Sequence, residues 1–184
     1  LNLANNKLGS DGVSAILAAV GSNSTLFSLN LADNKAGKEI ADELASHLER
    51  NISLKKLNLS GASFGDAGAE ALSHALAQNR VFLEILRLDE CKIADVGAIA
   101  LFDALKTNTR LQKLWLTGNK FKGTKEHKST LLELVETTES LDTIDLRNNS
   151  KLDNWGSQAK LAAKKASKAL GGHFTCTVHV GDLP

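Results

Sequence analysis

The side chains most capable of chemistry in this chain are five histidines and two cysteines, and they are widely scattered. No group of histidines, cysteines and aspartates shows the ligand spacing of a metal site. The glycine-rich phosphate-binding motifs G-x-x-x-x-G-K-[ST] and G-x-G-x-x-G do not occur. We therefore predict no catalytic residues, no metal site and no cofactor, and expect a protein that is not an enzyme.

A nine-residue pattern recurs along the chain and organises it. At residues 111–119 it reads L-x-x-L-x-L-x-x-N, with fixed positions at Leu111, Leu114, Leu116 and Asn119. The second apolar residue of successive copies is Leu1, Leu29, Leu57, Leu86, Leu114 and Ile144, so the steps are 28, 28, 29, 28 and 30 residues. A fixed period of this length predicts a repeat architecture.

Each repeat contains a short strand and then a helix. The alternation L-x-L predicts strands near residues 1–3, 28–31, 56–59, 85–88, 113–116 and 143–146. Leucines four residues apart, such as Leu72 and Leu76, then mark one helix face. Because a helix separates each strand from the next, the strands must run parallel. We predict an α/β solenoid with its sheet on the concave side and its helices on the convex side.

This pattern resembles the leucine-rich repeat family over residues 1–150. The period and the G-x-x-x-L-x-x-x-L helix, seen at Gly68–Leu76, place the resemblance near the ribonuclease-inhibitor-like subfamily. That subfamily also includes the Ran GTPase-activating protein and tropomodulin. The resemblance implies the fold, but it does not single out one function.

Two sets of asparagines accompany the repeats. The one that ends each motif reads Asn6, Asn34, Ala62, Cys91, Asn119 and Asn149, and it predicts a ladder of side-chain amides bonded to backbone groups. Ala62 has no amide, so its repeat should have a rearranged turn or a buried water. Asparagines also follow most helices, for example Asn51, where we expect the left-handed conformation that ends a helix.

Residues 151–184 depart from the pattern and are predicted to form a C-terminal capping unit. A lysine-rich helical run at 157–172 follows Trp155. The alternation of Phe174, Cys176, Val178 and Val180 with polar residues then predicts a terminal strand beside Ile144. Since Leu1 falls inside a predicted strand, we also expect the chain to belong to a longer array that extends N-terminally.

The composition of the chain limits the classes of partner that it can bind. Lysine plus arginine number 22 and aspartate plus glutamate 21, which argues against a general nucleic-acid or membrane-surface binder. Cys91 and Cys176 lie three repeat steps apart, beyond the reach of a disulfide. Two reduced thiols are typical of a cytoplasmic protein.

The outward strand positions provide the candidate site. Arg87, Trp115 and Asp145 should lie side by side on neighbouring strands, and exposed tryptophan and arginine are typical of protein interfaces. The predicted partner-binding residues are Trp115, Arg87, Lys113, Asp145, Arg147, Asp89, Glu90 and Lys56. The alternative is that Trp115 only stacks on Arg87 within the chain.

The favoured function is therefore a non-enzymatic scaffold that binds a partner protein on its concave face. Through the resemblance, a GTPase-activating role or an actin-regulatory role like that of tropomodulin stays open. The lysine-rich loop that begins the fifth helix, with Lys120, Lys122, Lys125 and Lys128, predicts either a docking loop for an acidic partner or a solvated loop.

Overall fold

The computed structural model describes residues 1–149, Leu152 and residues 176–180. Its helices are α1 (Gly9–Gly21), α2 (Ala41–Arg50), α3 (Gly65–Ala77), α4 (Asp95–Leu105) and α5 (Lys125–Thr137), with a 3-10 turn at Lys38–Ile40 before α2. Its strands are β1 (Ser28–Asn30), β2 (Lys56–Asn58), β3 (Ile85–Arg87), β4 (Lys113–Trp115), β5 (Thr143–Asp145) and β6 (Thr177–His179). Within this part of the chain, no helix is long and apolar enough to cross a membrane.

The strands form one open, parallel six-stranded sheet in the order β1 to β6. Apolar residues face one another in register, for example Leu86 with Leu114 and Leu114 with Ile144. Helices alternate with these strands along the chain. This arrangement confirms the predicted α/β solenoid.

The two ends of the sheet differ from its middle. At residues 1–3, where a full strand was expected, the chain makes a single parallel bridge between Asn2 and Asn30. At the other end, β6 pairs with β5 and brings Val178 opposite Ile144, so the terminal strand lies where it was predicted. The predicted capping helix and Trp155 lie outside the described residues, and the domain boundary near residue 150 stays a prediction.

The repeat leucines build one continuous core. Leu114 and Leu116 are fully buried, as are the bulky side chains of Phe102 and Phe121. Since a single repeat cannot bury its apolar face alone, this shared core is what holds the stack together.

An asparagine ladder runs through the core, as predicted. The Asn119 amide nitrogen donates to the carbonyl oxygens of Leu88 at 2.8 Å and of Leu116 at 2.9 Å, which belong to consecutive repeats. Its oxygen accepts from the Ile93 backbone N–H at 3.0 Å. Asn34 and Asn149 likewise donate to carbonyls of their own repeat and of the one before.

The ladder is interrupted at Ala62, where the turn is rearranged as expected. The Ala62 backbone N–H donates to the Leu59 carbonyl at 3.1 Å, and the Cys91 thiol contacts the same oxygen at 3.3 Å. A backbone bond thus replaces the missing side-chain amide, and the Leu59 carbonyl is not left unpaired.

The asparagines that follow the helices do not play the predicted role, with Asn79 as the exception. Asn79 has a φ of 54°, but Asn51 is extended, with a φ of −81° and a ψ of 130°. The Asn51 side chain instead donates to the Val20 and Asn23 carbonyls and accepts from Leu54 N–H. Asn108 bonds in the same way, so these asparagines form a second ladder at the opposite edge of the sheet.

Helices α3 and α4 approach each other closely at Gly97. A Cβ added to Gly97 would lie 2.8 Å from the Cβ of Ala69 and 2.9 Å from the backbone Cα of Asp66. Asp66 also accepts hydrogen bonds from the N–H groups of Ala94 at 2.7 Å and Gly97 at 3.0 Å. The glycine therefore permits a contact that also fixes the start of α4.

Candidate protein-binding surface

The register of β3, β4 and β5 places the predicted anchors next to one another. Arg87 lies opposite Trp115, and Trp115 lies opposite Asp145. Two residues earlier on the same strands, Ile85 lies opposite Lys113. Neighbouring strands are about 4.8 Å apart, so these side chains share one polar surface with an aromatic centre.

Trp115 and Arg87 are in contact. The guanidinium carbon of Arg87 lies 5.5 Å from the centre of the Trp115 ring, which is within cation–π range. The intramolecular pair that was one of the two interpretations is therefore formed. Trp115 is nevertheless only half-buried, and 48% of the Arg87 side chain is exposed. The pair covers part of the ring and leaves the rest open to a partner.

Each of the two arginines on this surface is fixed by an aspartate two residues away. Arg87 donates to one carboxylate oxygen of Asp89 through Nε at 3.0 Å and through Nη2 at 2.8 Å. The other Asp89 oxygen accepts from Thr117 N–H at 3.0 Å. These bonds hold the Arg87 guanidinium in one orientation beside Trp115.

Arg147 and Asp145 repeat the arrangement at the end of β5. Nε of Arg147 donates to Asp145 at 2.9 Å and Nη2 at 2.5 Å. Burial acts to raise the pKa of Asp145, but the hydrogen bonds from Arg147 outweigh it and leave that pKa below its ordinary value. The carboxylate is thus ionised at neutral pH and keeps Arg147 in place.

Both aspartates differ from the sequence-based expectation. Asp145 is 2% exposed and Asp89 is 8% exposed, although both were predicted as exposed interface residues. Their carboxylates are occupied by arginines and backbone groups. They therefore hold Arg87 and Arg147 in position, and their charge is paired within the chain.

A shallow depression of about 430 Å³ collects most of the predicted residues. It is lined by Arg87, Asp89, Glu90, Trp115, Asp145 and Arg147, among others. Lys113 is half-buried at the start of β4 and is not among the residues that line this depression. Lys56 does not join the group, because its ammonium lies 5.5 Å from the ring centre of Phe27, towards β1.

A buried histidine in α5 was not anticipated from the sequence. His127 is fully buried, with its ring stacked on Phe102 at a centroid distance of 5.3 Å and edge-on to Phe121 at 4.9 Å. Its Nδ1 lies 2.9 Å from Oδ1 of Asp95, in the preceding repeat. The separation of 32 residues hides this pair from any local motif, although it is close to one repeat step.

Burial lowers the pKa of His127 in spite of the neighbouring Asp95 carboxylate. The ring is then neutral near pH 7, and its Nδ1–H donates to Asp95. The pKa of Asp95 is itself lowered: burial opposes this shift, but hydrogen bonds from backbone N–H groups and the charge interaction with His127 prevail. Neither residue lines the depression around Trp115, so we assign the pair a structural role.

The buried histidine predicts a loss of stability in mild acid. An unfolded histidine takes up a proton below about pH 6.5, whereas folded His127 stays neutral to lower pH. The unfolded state then binds more protons, so the free energy of unfolding should fall by about 1 kcal/mol as pH drops from about 7 to about 5. Urea titrations at the two pH values measure this change.

The matched variant for this prediction is His127→Asn, which keeps a donor towards Asp95 but cannot titrate. Its unfolding free energy should vary less over the same pH range, whatever its absolute stability. The histidines His47, His74 and His179 are at least partly exposed and are common to both proteins. An identical pH dependence in the two proteins would contradict the assignment.

One comparison with known proteins, that with family models, agrees with the repeat architecture. Three segments, residues 1–17, 50–73 and 81–102, match the family model described as Leucine Rich repeat. No curated protein matches the chain. Among solved structures, one titled Leiomodin-1 Actin-Binding Site 2 is 15% identical, with 91% of this chain and 78% of that chain covered and a TM-score of 0.48.

Proposed function

We propose that this array of leucine-rich repeats is a non-enzymatic scaffold that binds a partner protein across β3, β4 and β5. Arrays of this kind typically act as interaction modules and use extended concave surfaces. The observation that carries the proposal is that Trp115 is partly exposed at the centre of a polar sheet face. The repeat needs a leucine on either side of this residue but places no demand on the residue itself.

The physical reason to expect a protein partner is the combination of an aromatic ring with fixed arginines. Tryptophan and arginine dominate the residues whose truncation costs the most binding energy. Arg87 and Arg147 are already held by Asp89 and Asp145, so binding costs little side-chain entropy at these positions. A partner that covers Trp115 also removes apolar ring surface from water.

We also infer a cytoplasmic location. Cys91 and Cys176 are both free and buried. Burial raises the pKa of each thiol to about 12, so neither is a nucleophile at neutral pH. Reduced structural cysteines of this kind are typical of cytosolic proteins, and they support this part of the proposal.

The test is the substitution Trp115→Ala, which should weaken binding of the natural partner at least about tenfold, equal to about 1.4 kcal/mol. Proteins retained from cell extract by the wild-type chain identify the partner, and calorimetry with the purified partner gives the dissociation constants. Phe27→Ala is the matched control, since Phe27 is 48% exposed and lies outside the proposed surface. It should bind as the wild type does.

Two results would contradict the proposal. One is that a correctly folded Trp115→Ala protein binds the partner with unchanged affinity, which would show that Trp115 is not part of the binding site. The other is stimulation of GTP hydrolysis by small GTPases, which would overturn the non-enzymatic assignment. Cosedimentation with actin would identify actin as the partner. It would contradict neither the Trp115 site nor the non-enzymatic assignment.

A further inference from the structure

Four exposed lysines form a second charged surface, away from Trp115. Lys92 follows the last position of the motif in the fourth repeat, and Lys120 occupies the same place in the fifth. Lys122 and Lys125 follow in the loop that leads into α5. We call this group, Lys92, Lys120, Lys122 and Lys125, the lysine loop.

No carboxylate neutralises these side chains within the part of the chain that the structure describes. The ion pairs there involve other basic groups, namely Lys55, Arg87, Lys106, His127 and Arg147. Asp95 is close in sequence, but its carboxylate is buried and turned to backbone N–H groups. Glu90 and Glu126 are also close in sequence and are exposed, but neither forms an ion pair with these lysines among the described residues. The lysine loop is therefore exposed and forms no ion pair in this part of the chain.

The backbone that carries the lysines is held firmly. Oδ1 of Asp95 accepts from the N–H groups of Lys122 at 2.9 Å and Gly123 at 3.3 Å, and Oδ2 accepts from Thr124 at 3.2 Å. Lys120 N–H donates to the Ile93 carbonyl at 2.7 Å, which ties the loop to the preceding repeat. The four lysines are thus displayed on a fixed frame that spans two repeats.

Helix stability does not explain this placement. The amino-terminal end of a helix carries partial positive charge and favours acidic side chains. The first turn of α5 has one acidic residue, Glu126, yet the helix begins at Lys125 and follows Lys120 and Lys122. Positive side chains at this end of a helix are unfavourable by a small amount each. A bound anion would offset this cost.

We propose that the lysine loop binds an acidic polypeptide segment. The cluster is confined to two adjacent repeats, whose strands are about 4.8 Å apart, so a short extended segment with several acidic residues is long enough to span it. The net charge of the whole chain is only +1, which gives no broad positive field for a duplex or an anionic membrane. The proposal is independent of the Trp115 surface.

The test uses a fluorescent peptide of about ten glutamates, which extends to roughly 33 Å. Fluorescence anisotropy compares the wild-type chain with a variant in which all four lysines are changed to glutamine. The control changes Lys7, Lys35, Lys38 and Lys56 to glutamine, since these are exposed lysines of the first repeats and the charge change is equal. Circular dichroism verifies the fold of each protein.

The lysine-loop variant should lose at least about tenfold in peptide affinity, and the control should change by less than about twofold. Equal losses in both variants would show a non-specific charge effect and overturn the proposal. It would also fail if the wild type did not bind the peptide at low salt, or if lysine-dependent binding to duplex DNA or phosphatidylserine vesicles were tighter. Binding of the natural partner through Trp115 should be unchanged in the variant, which separates this test from that of the scaffold function.

Discussion

Replacing Asn119 with alanine should lower the free energy of unfolding by about 3 kcal/mol. The substitution removes the donor to the Leu88 and Leu116 carbonyls and the acceptor for Ile93 N–H. All of these groups lie in the core, where each unpaired polar group costs about 1–3 kcal/mol. Because the turn can partly relax, the expected loss of stability is smaller than the sum of the costs of these unpaired groups. Urea denaturation of both proteins measures it.

Two further variants show whether the ladder is responsible. Gln112→Ala removes an exposed amide from the same motif and should change stability by less than about 0.5 kcal/mol. Cys91→Ala removes only weak thiol bonds from the same ladder position, so it should cost less than Asn119→Ala. If Asn119→Ala were as mild as Gln112→Ala, water would be satisfying the carbonyls and our account of the ladder would be wrong.

Gly97→Ala should destabilise the protein by about 2 kcal/mol even though alanine favours helices by about 1 kcal/mol over glycine. The new methyl group would lie 2.9 Å from the Cα of Asp66, a backbone atom that cannot rotate away. Helices α3 and α4 must then separate, which weakens the bonds from Ala94 and Gly97 to Asp66. Overpacking of this kind typically costs about 1–3 kcal/mol, to which the lost bonds add.

Gly12→Ala is the matched control, because Gly12 lies in α1 of the first repeat. Its added methyl group would meet only the Leu8 side chain, at 3.0 Å, and Leu8 is half-buried at the end of the stack. This variant should be neutral or slightly more stable. Thermal unfolding of the two variants tests this difference in stability. Equal effects would mean that the contact between α3 and α4 can accommodate a methyl group.

The repeat fold was readable from the sequence because its signal is periodic. Leu86, Leu114 and Ile144 recur at a nearly fixed step, and that step fixes which residues face one another in the sheet. The same step predicts that Arg87 and Trp115 are neighbours on adjacent strands, as they are. Ladder bonds of Asn119 followed from the need to pair buried backbone groups.

The burial of individual side chains could not be predicted from the sequence in the same way. Asp145 occupies an outward strand position, yet it is covered by Arg147, because a charge pair two residues apart folds back on the strand. His127 stands in a polar, lysine-rich stretch, and its burial depends on Phe102 and Asp95, which lie in the preceding repeat. The role of Asn51 was misjudged because its partners, such as Val20, also lie one repeat away. In the last two cases the deciding contact is tertiary.

The nearest-neighbour construction of the array has a mechanical consequence. Each described strand pairs only with its neighbours in sequence order, and each described helix packs only against the helices before and after it. Small changes of the angle at the junctions between successive repeats can therefore add up along the array. A partner seated across β3, β4 and β5 would brace two of these junctions at once and stiffen that section. Binding would then fix the angles at these two junctions, while the other junctions would stay free to bend.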